Sequence, residues 1–331
     1  MLMDIAGATG LMTTALRTAG YSGPDADIIT DHLIDCELRG LEYGGLARGL
    51  SVVERVQGQS HERGSIEVVR STPVSSTLNG GDEVGYLVAQ RATTIALELA
   101  SRSGIAVVGA HNTWYTGMFS YYLEQITSAG LVGMIAGSGS HIVAPAGSSE
   151  ARFCTNPVAF GFPTATENPV IWDIGTSETM VAEVLLALRL GQSLPEGRLY
   201  NAQGEPSTTP ADLLGGALTV WGGHKGSGLA VVVQMLGALA GASYAPEGLS
   251  DCGFLLLAID PAILTDADDF KERTSVYADS VRAARPLDPD RPVRMPFDRS
   301  SAQRDRRRAL DQLEINDEVV AALQTAAGTA T

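Results

Sequence analysis

Cysteines and basic residues are scarce in this sequence, and each shortage excludes a class of protein. The three cysteines, Cys36, Cys154 and Cys252, are far apart and lack the spacing of metal ligands. We therefore expect free thiols, a reducing cytoplasmic location and no bound metal. The 38 acidic residues outnumber the 23 basic ones and give a net charge of −15. Such a charge repels phosphate backbones, so nucleic acid is excluded as a general partner.

Long apolar segments are also missing. Residues 1–20 lack a basic region followed by a sustained apolar stretch, so they do not resemble a secretory signal. Residues 229–242 are too short to span a bilayer and include Gln234, so we expect no membrane segment. With 331 residues, 44% hydrophobic and 18% charged, the chain has the composition of a soluble globular protein of one or two domains.

Strand and helix patterns alternate along the chain, which is typical of a layered α/β architecture. An alternating pattern at residues 65–82 predicts a strand that ends in a turn at Asn79-Gly80-Gly81-Asp82. Short apolar runs bounded by glycine predict buried strands at 104–110 and 132–137. Residues 1–56 are mainly helical. Further helices are predicted at 84–101, 118–129, 180–190 and 270–284, and further strands at 170–174 and 254–259.

A glycine-rich stretch at residues 222–229 is a local candidate for a binding site. Four glycines among residues 222–228 allow the backbone to bend sharply and to approach a ligand closely. His224 and Lys225 lie between them, and an apolar pattern from Leu229 predicts a buried helix that starts here. The positive end of a helix with an adjacent lysine favours an anion such as a phosphate. Because no standard phosphate-loop pattern is present, a plain loop that enters a core helix is an equal alternative.

Two further polar groups have both a functional and a structural interpretation. Thr176 and Ser177 follow the strand pattern of residues 170–174 and can either cap the next helix or hold a ligand phosphate. Arg48 follows a turn at residues 44–45 and can clamp a carboxylate bidentately. An arginine near a helix end is also common as a solvated or helix-terminal charge, so both interpretations stay open.

Several motifs, read in order, resemble the malate/L-lactate dehydrogenase family, which includes ureidoglycolate dehydrogenase and the 2,3-diketogulonate and piperideine-2-carboxylate reductases. The resemblance covers roughly residues 25–310. The family lacks the Gly-x-Gly-x-x-Gly fingerprint of ordinary dinucleotide-binding folds, and so does this sequence. The motifs are Asp35-Cys36-Glu37-Leu38-Arg39-Gly40 with Arg48, Ala144-Pro145-Ala146-Gly147, Cys154-Thr155-Asn156-Pro157-Val158-Ala159-Phe160, Trp172-Asp173-Ile174-Gly175-Thr176-Ser177, Leu194-Pro195-Glu196-Gly197 and Gly222-Gly223-His224-Lys225-Gly226.

The resemblance implies a non-Rossmann α/β fold with a mixed sheet, flanking helices and a helical N-terminal part. Residues 63–244 would form the cofactor-binding domain, and residues 1–62 would pack with 245–331 as the substrate and dimer part. The implied cofactor is NADPH or NADH, and the implied assembly is a homodimer with active sites near the subunit interface. Arg48 would meet the carboxylate of a small substrate. The implied cofactor-binding residues are Asp173, Ile174, Gly175, Thr176, Ser177, His224, Lys225, Phe297 and Asp298, the last two in a segment that closes over the cofactor.

This sequence departs from the family pattern at positions that carry chemistry. The family has Ser-His-Gly where this chain has Tyr43-Gly44-Gly45, and the family histidine donates a proton to the carbonyl. A second pattern, Asn-x-x-His-Phe-Gly, is replaced at residues 112–117, which puts Tyr115 at the histidine position. A usual lysine aligns with Glu183, and a usual Pro-Gly-Glu is Pro296-Phe297-Asp298. The cofactor side therefore resembles the family more closely than the proton-donor side.

The missing histidine raises the question of which residue acts as the proton donor. Reduction of a ketone by hydride requires a proton for the nascent alkoxide, which an imidazolium supplies well at neutral pH. Glycine cannot supply it, so Tyr43, Tyr115 and His141 are the candidate donors, although each is also a common packing or surface residue. A protonated imine needs no separate acid at that moment, which shifts the expected substrate toward imines.

The sequence therefore predicts an NAD(P)H-dependent oxidoreductase that reduces a carboxylated ketone or imine of the 2-oxo acid or cyclic imino acid type. Two alternatives stay open. Loss of both histidines also fits a repurposed enzyme of the same fold with non-redox chemistry, such as a cyclase, isomerase or lyase of secondary metabolism. The other alternative is a non-catalytic binding homologue.

Overall fold

The computed structural model describes residues 1–58 and 63–329 and is helical at both ends of the chain. Helix starts follow the local sequence. Ser22, for example, accepts a hydrogen bond from the Asp25 N–H, and Pro24 occupies the first turn of the following helix. The helices of the described residues are α1 (Ile5–Thr18), α2 (Gly23–Leu38), α3 (Leu46–Gly58), α4 (Gly85–Ser103), α5 (Phe119–Ser128), α6 (Val181–Arg189), α7 (His224–Leu239), α8 (Ala267–Arg282), α9 (Asp298–Leu310) and α10 (Asp317–Ala326).

The strands form one large mixed sheet and two small sheets. In the described residues the large sheet has the order β2-β3-β4-β12-β5-β7-β8, with β3 and β4 parallel and every other neighbouring pair antiparallel. The strands are β1 (Leu2–Met3), β2 (Glu67–Thr72), β3 (Ser75–Val84), β4 (Ile105–Trp114), β5 (Val132–Ser138), β6 (Val143–Ala144), β7 (Val158–Phe162), β8 (Val170–Ile174), β9 (Leu199–Tyr200), β10 (Pro206–Ser207), β11 (Ala217–Thr219), β12 (Cys252–Ile259) and β13 (Leu313–Glu314).

The large sheet is covered by helices on both faces. Successive residues of a strand point to opposite faces, and β5 shows the result. Ile135 packs in the core beneath α4 and α5, whereas Met134 and Ala136 contact the cluster that includes Val233 of α7. The predicted α/β fold with a mixed sheet and flanking helices is therefore confirmed.

The helical N-terminal part forms a second core. Helices α1, α2, α3 and α10 pack together there, and Trp114 at the end of β4 joins them to the sheet. The pairing of β1 with β13 brings the two ends of the chain side by side. This arrangement places α3 and the turn before it near the C-terminal end of β4.

The predicted turn at Asn79-Gly80-Gly81-Asp82 is wrong. The chain turns between β2 and β3 instead, and β3 continues through these residues with an irregular register against β4. A Cβ on Gly80 would lie 2.7 Å from the Asn112 carbonyl oxygen. Glycine is required here because two strands approach closely, not because the chain reverses.

Helix α7 starts at the glycine stretch as predicted, but one of its faces is exposed, with Met235 60% and Leu239 74% accessible. The domain boundary at residue 244 stays a prediction; β12, which follows it in the chain, lies between β4 and β5 in the large sheet. The other expected boundary, at residue 62, falls outside the described residues. Among the described residues, every helix is too short or too polar to cross a bilayer.

Candidate active site

Arg48 is a buried cation without a partner in the described part of the chain. It lies in the first turn of α3, only 9% exposed, with its guanidinium carbon 4.1 Å from the centre of the Tyr115 ring. Its Nη1 is buried and has no hydrogen-bond partner within residues 1–58 and 63–329. An unpaired buried charge is costly, so a ligand that supplies an anion would be stabilising here. The guanidinium geometry suits a carboxylate.

A small cavity opens beside Arg48, between α3 and α6. Its walls combine apolar side chains with polar and charged ones. Arg189 also lines it, but Nη2 of Arg189 already donates to both carboxylate oxygens of Glu54, at 2.7 and 2.9 Å. Of the two arginines in the lining, only Arg48 is thus free to bind an anion. The lining residues are Tyr43, Ala47, Arg48, Ser51, Ala182, Leu185, Leu186 and Arg189.

Tyr115 is held in a left-handed backbone conformation, with φ of +50°. Such conformations are uncommon for residues other than glycine and cluster at functional sites. The Tyr115 ring lies against Arg48 and, edge-on, 5.4 Å from the ring of Trp114. The structure therefore brings two predicted site residues together. A proton-donor role for Tyr115 stays a prediction.

Tyr43 and Gly44 form a single 3₁₀ turn, Glu42–Gly44, directly before α3. Burial, together with the nearby Glu183, Cys36 and Asp173, raises the pKa of Tyr43 to about 12, so the phenol stays neutral. A Cβ on Gly44 would lie 3.5 Å from the Cys36 sulfur, which is an ordinary contact. The space beside Gly44 therefore admits a side chain.

Glu37 is a buried acid within the motif at residues 35–40. Its Oε1 accepts a hydrogen bond from the Leu46 N–H at 2.7 Å and so caps the first turn of α3. A Cβ on Gly45 would lie 2.2 Å from the same oxygen, so this position requires glycine. Burial raises the pKa of Glu37 from 4.5 to about 8, while the Leu46 N–H lowers it. Glu37 thus positions the turn that carries Tyr43.

Glu37→Gln is expected to make folding stability less dependent on pH between pH 5 and 8. Because the pKa of Glu37 is higher in the folded state, about 8 against 4.5, its contribution is fully present below about pH 4.5 and is lost as the pH rises toward 8. Glutamine keeps an acceptor for the Leu46 N–H and does not titrate. The variant should therefore exceed the wild type in free energy of unfolding at pH 8, as measured by urea denaturation across this range.

The matched control for this prediction is Glu98→Gln. Glu98 is an exposed residue of α4 whose side chain is 60% accessible. Its replacement should leave the pH dependence of unfolding unchanged. Parallel curves for wild type and Glu37→Gln would show that Glu37 does not titrate in this range.

Asp173, predicted to bind the cofactor, also caps α5. Asp173 is an exposed residue, and its Oδ2 accepts a hydrogen bond from the Ser120 N–H at 2.8 Å. Desolvation of the carboxylate raises the pKa of Asp173, while hydrogen bonds from Ser120 and Phe119 lower it. Asp173 therefore fixes the end of β8 against the start of α5, close to Tyr43.

Thr176 and Ser177 use their hydroxyl groups within the protein. The Thr176 hydroxyl donates to the Thr155 carbonyl oxygen at 3.0 Å, and its N–H donates to the same oxygen at 2.8 Å. The Ser177 hydroxyl donates to the Thr179 carbonyl oxygen at 2.7 Å. These bonds shape the turn after β8, and a contact of Thr176 or Ser177 with the cofactor stays a prediction.

The turn after β8 lies beside the glycine stretch. Ser177 forms a β-bridge with Val220, and the Trp221 N–H donates to the Thr176 carbonyl oxygen at 2.8 Å. Helix α7 then begins at His224, and the side chains of His224 and Lys225 are exposed. Two segments that the sequence assigns to the cofactor are thus neighbours in space.

Ile174 and Gly175 make packing contacts at the end of β8. Ile174 and two residues of α7, Leu229 and Leu236, pack against the same small cluster, which includes Val233. A Cβ on Gly175 would lie 2.6 Å from the Met180 sulfur, so Gly175 allows the segment before α6 to approach closely.

Three predicted site residues have contacts elsewhere. The His141 Nε2 lies 3.2 Å from the Tyr244 carbonyl oxygen, and no described contact joins it to Arg48. The centre of the Phe297 ring lies 4.4 Å from the guanidinium carbon of Arg39. Asp298 pairs with Arg282 at 2.8 and 2.9 Å. Closure of Phe297 and Asp298 over the cofactor stays a prediction.

His32 and Tyr86 lie behind the site, and the sequence analysis missed both. The His32 Nε2 accepts a hydrogen bond from the Met118 N–H at 2.9 Å, and burial lowers the pKa of His32 to about 3, so the ring is neutral. Tyr86 packs on it edge-on. A histidine or tyrosine inside an apolar helical pattern resembles ordinary core, so only the tertiary contacts identify them. In the described residues no cluster of three or more potential metal ligands is present.

Comparisons with known proteins identify the family of the chain. A model of the malate/L-lactate dehydrogenase family matches residues 3–324. The L-sulfolactate dehydrogenase of Methanothermobacter thermautotrophicus is 30% identical over 305 residues, 89% of this chain and 87% of that protein. The Delta(1)-pyrroline-2-carboxylate reductase of Ancylobacter novellus is 31% identical over 279 residues, 78% of this chain and 82% of that protein.

A solved structure gives the same result for the fold. The crystal structure of a dehydrogenase from Sinorhizobium meliloti has a TM-score of 0.90 and 27% identity, and the match covers 99% of this chain and 98% of that one. Because the sequence match and the structural match both extend over nearly the whole chain, the chain belongs to the malate/L-lactate dehydrogenase family.

Proposed function

We propose that this protein reduces a small carboxylated substrate at a C=N or C=O bond, with NADPH or NADH as the hydride source. The observation that carries the proposal is the unpaired guanidinium of Arg48 beside a small cavity. Arg48 would hold the substrate carboxylate and thereby orient the adjacent double bond. The names of two relatives, an L-sulfolactate dehydrogenase and a pyrroline-2-carboxylate reductase, support both substrate types.

Membership of a dehydrogenase family implies a nicotinamide cofactor. Residues 173–177 and 222–225 fit its binding, because they are neighbours and the positive end of α7 carries the exposed side chains of His224 and Lys225. Gly222 and Gly223 both have positive φ angles, so the backbone there follows a path that favours glycine. When bound, the cofactor supplies a hydride. We assign its phosphate and ribose groups to these two segments.

The charges around Tyr43 favour an imine over a ketone. Glu183 and Asp173 lie within electrostatic range of Tyr43, and Tyr43 lines the cavity beside Arg48. A protonated cyclic imino acid carries one negative and one positive charge. Arg48 pairs with its carboxylate, and the two acidic residues stabilise its iminium. The same acidic residues would repel a second carboxylate.

We also propose that the protein is a homodimer in the cytoplasm. The exposed apolar stripe Val232, Met235 and Leu239 on α7 supports a second copy of the chain as the group that covers it. This helix begins at the proposed cofactor segment, which would put the active site near the subunit interface. Sedimentation equilibrium distinguishes the dimer from the 34.6 kDa monomer.

The experiment that tests this function measures consumption of NADH and NADPH by the purified protein with 2-oxo acids, 2-oxo dicarboxylates and cyclic imino acids. We expect the fastest reduction with a cyclic imino acid and the slowest with a dicarboxylate. Cofactor binding is measured separately by fluorescence titration. Tight cofactor binding without hydride transfer to any of these compounds would contradict a reductase and support non-redox chemistry.

A further inference from the structure

Tyr86 is a fully buried tyrosine near Arg48 that belongs to none of the motifs. It lies in the first turn of α4 and is 1% exposed. Its ring centre is 4.7 Å from that of His32. On another side it packs against Gly117, where a Cβ would come within 2.4 Å of Cε1 of Tyr86. The ring is therefore held from two sides, and the position of its hydroxyl is fixed.

The Tyr86 hydroxyl has no hydrogen-bond partner in the part of the chain that the structure describes. The groups within electrostatic range of it are the guanidinium of Arg48, the thiol of Cys36 and the hydroxyl of Tyr115. Nη1 of Arg48 is unpaired and buried as well. Two unpaired polar groups in one buried region indicate a place that a polar ligand completes.

Tyr122 shows what a structural tyrosine looks like in the same core. It is as buried as Tyr86, but its hydroxyl donates to the Thr116 carbonyl oxygen at 2.9 Å. Buried tyrosines normally find such a partner. The contrast between the two residues argues that the Tyr86 hydroxyl serves a ligand rather than the fold.

We propose that the Tyr86 hydroxyl contacts the substrate beside its carboxylate and donates the proton to the keto oxygen when a 2-oxo acid is reduced. The inference rests on the proposed reductase function. In a 2-oxo acid the keto oxygen is adjacent to the carboxylate, so a donor in the same buried region as Arg48 is suited to serve it. Tyr86 thereby takes over the role of the histidine that is missing at Gly44.

Hydride addition and proton transfer are coupled in this step. The carbonyl carbon gains a hydride, and the π pair of the C=O bond moves to the oxygen. The O–H bond of Tyr86 breaks while an O–H bond forms on the product alcohol, which leaves a phenolate near Arg48. Water returns the proton to the phenolate afterwards. A protonated imine takes up the hydride with no proton from Tyr86.

The surroundings of Tyr86 are consistent with this role. Burial raises the pKa of Tyr86, so the phenol keeps its proton at neutral pH, whereas Arg48 lowers the pKa. The guanidinium is thus positioned to stabilise the phenolate that forms during turnover.

The test compares Tyr86→Phe with Tyr122→Phe as the matched control. For Tyr86→Phe we expect kcat with a 2-oxo acid to fall by about a hundredfold or more. KM should change little, and reduction of a cyclic imino acid at a pH where the imine is protonated should be retained. Thermal unfolding of both variants distinguishes a loss of catalysis from a loss of stability. Tyr86→Phe removes an unpaired hydroxyl and should not lower the melting temperature, whereas Tyr122→Phe loses a hydrogen bond and should lower it.

Several outcomes would overturn the inference. These are undiminished 2-oxo acid reduction by Tyr86→Phe, equal losses with both substrate types, or a change confined to KM. A wild-type protein that reduces neither substrate would overturn the proposed function and this inference with it. An active wild type with an unaffected Tyr86→Phe variant would overturn the inference alone.

Discussion

Arg48→Ala is expected to lower kcat/KM for the carboxylated substrate by about a hundredfold. A charge-assisted bidentate pair with a carboxylate contributes about 3 kcal/mol, and each 1.4 kcal/mol corresponds to about tenfold. Most of the change should be in KM, because Arg48 binds the substrate before and during reduction alike. Steady-state kinetics measures the loss. Cofactor affinity, measured by fluorescence titration, should stay unchanged.

Arg55→Ala is the matched control for this loss. Arg55 lies on the same helix and its guanidinium also stacks on an aromatic ring, 4.5 Å from the centre of Trp114. Unlike Arg48, it pairs with Asp82, at 3.1 Å. Its replacement should affect stability without a specific effect on KM. Arg48→Lys keeps the charge but loses the planar fork and should fall between wild type and Arg48→Ala. Equal KM values for all these proteins would show that Arg48 does not hold the carboxylate.

In a Tyr86→Phe background, Gly44→His is expected to raise the rate of 2-oxo acid reduction by about tenfold or more, because it restores a general acid, and general acid catalysis typically contributes 10²- to 10⁴-fold. The backbone admits the change, since a Cβ at this position would make only an ordinary contact with Cys36. Cys36 in turn lies within electrostatic range of Asp173, which can keep an added imidazole protonated. The gain should be larger at pH 6 than at pH 8, because histidine has an ordinary pKa near 6.5. Kinetics with a 2-oxo acid at both pH values measures it.

Two controls separate proton donation from packing. Gly44→Phe adds a ring without a proton and should bring no gain. Gly45→His should destabilise the protein, because its Cβ would lie 2.2 Å from the buried Oε1 of Glu37. The same gain in Gly44→Phe and Gly44→His would show that filling the space, and not an acid, improves the rate.

The sequence predicts the architecture well where structure is local. The alternation of strands and helices leads to the correct layered fold, and the start of α7 is placed correctly by its glycines. The exposed face of α7 is not predictable in the same way, since Val232 and Leu239 fit a core pattern equally well. The position of β12 in the sheet cannot be predicted from local sequence patterns either, because its partners lie more than 100 residues earlier in the chain.

In the candidate site, too, some features are predictable from the sequence and others only from the tertiary structure. Arg48 can be found from its residue type and its place after a turn, but its lack of a partner emerges only from packing. Thr176 has the right chemistry for a ligand, and the structure shows that its hydroxyl bonds to Thr155. Tyr86 gives no sequence signal at all. Its importance comes from Gly117, His32 and Arg48, which three separate segments bring to it.

The placement of β12 has a consequence for the order in which the protein folds. During synthesis the residues of β4 and β5 are made long before residues 252–259. Until β12 is made, the edges of β4 and β5 that pair with it are unpaired. The sheet closes only when this late segment inserts between them. Pairings of such large sequence separation form slowly and leave strand edges open to association with other chains. Chaperone demand during biosynthesis should therefore centre on the interval before β12 emerges.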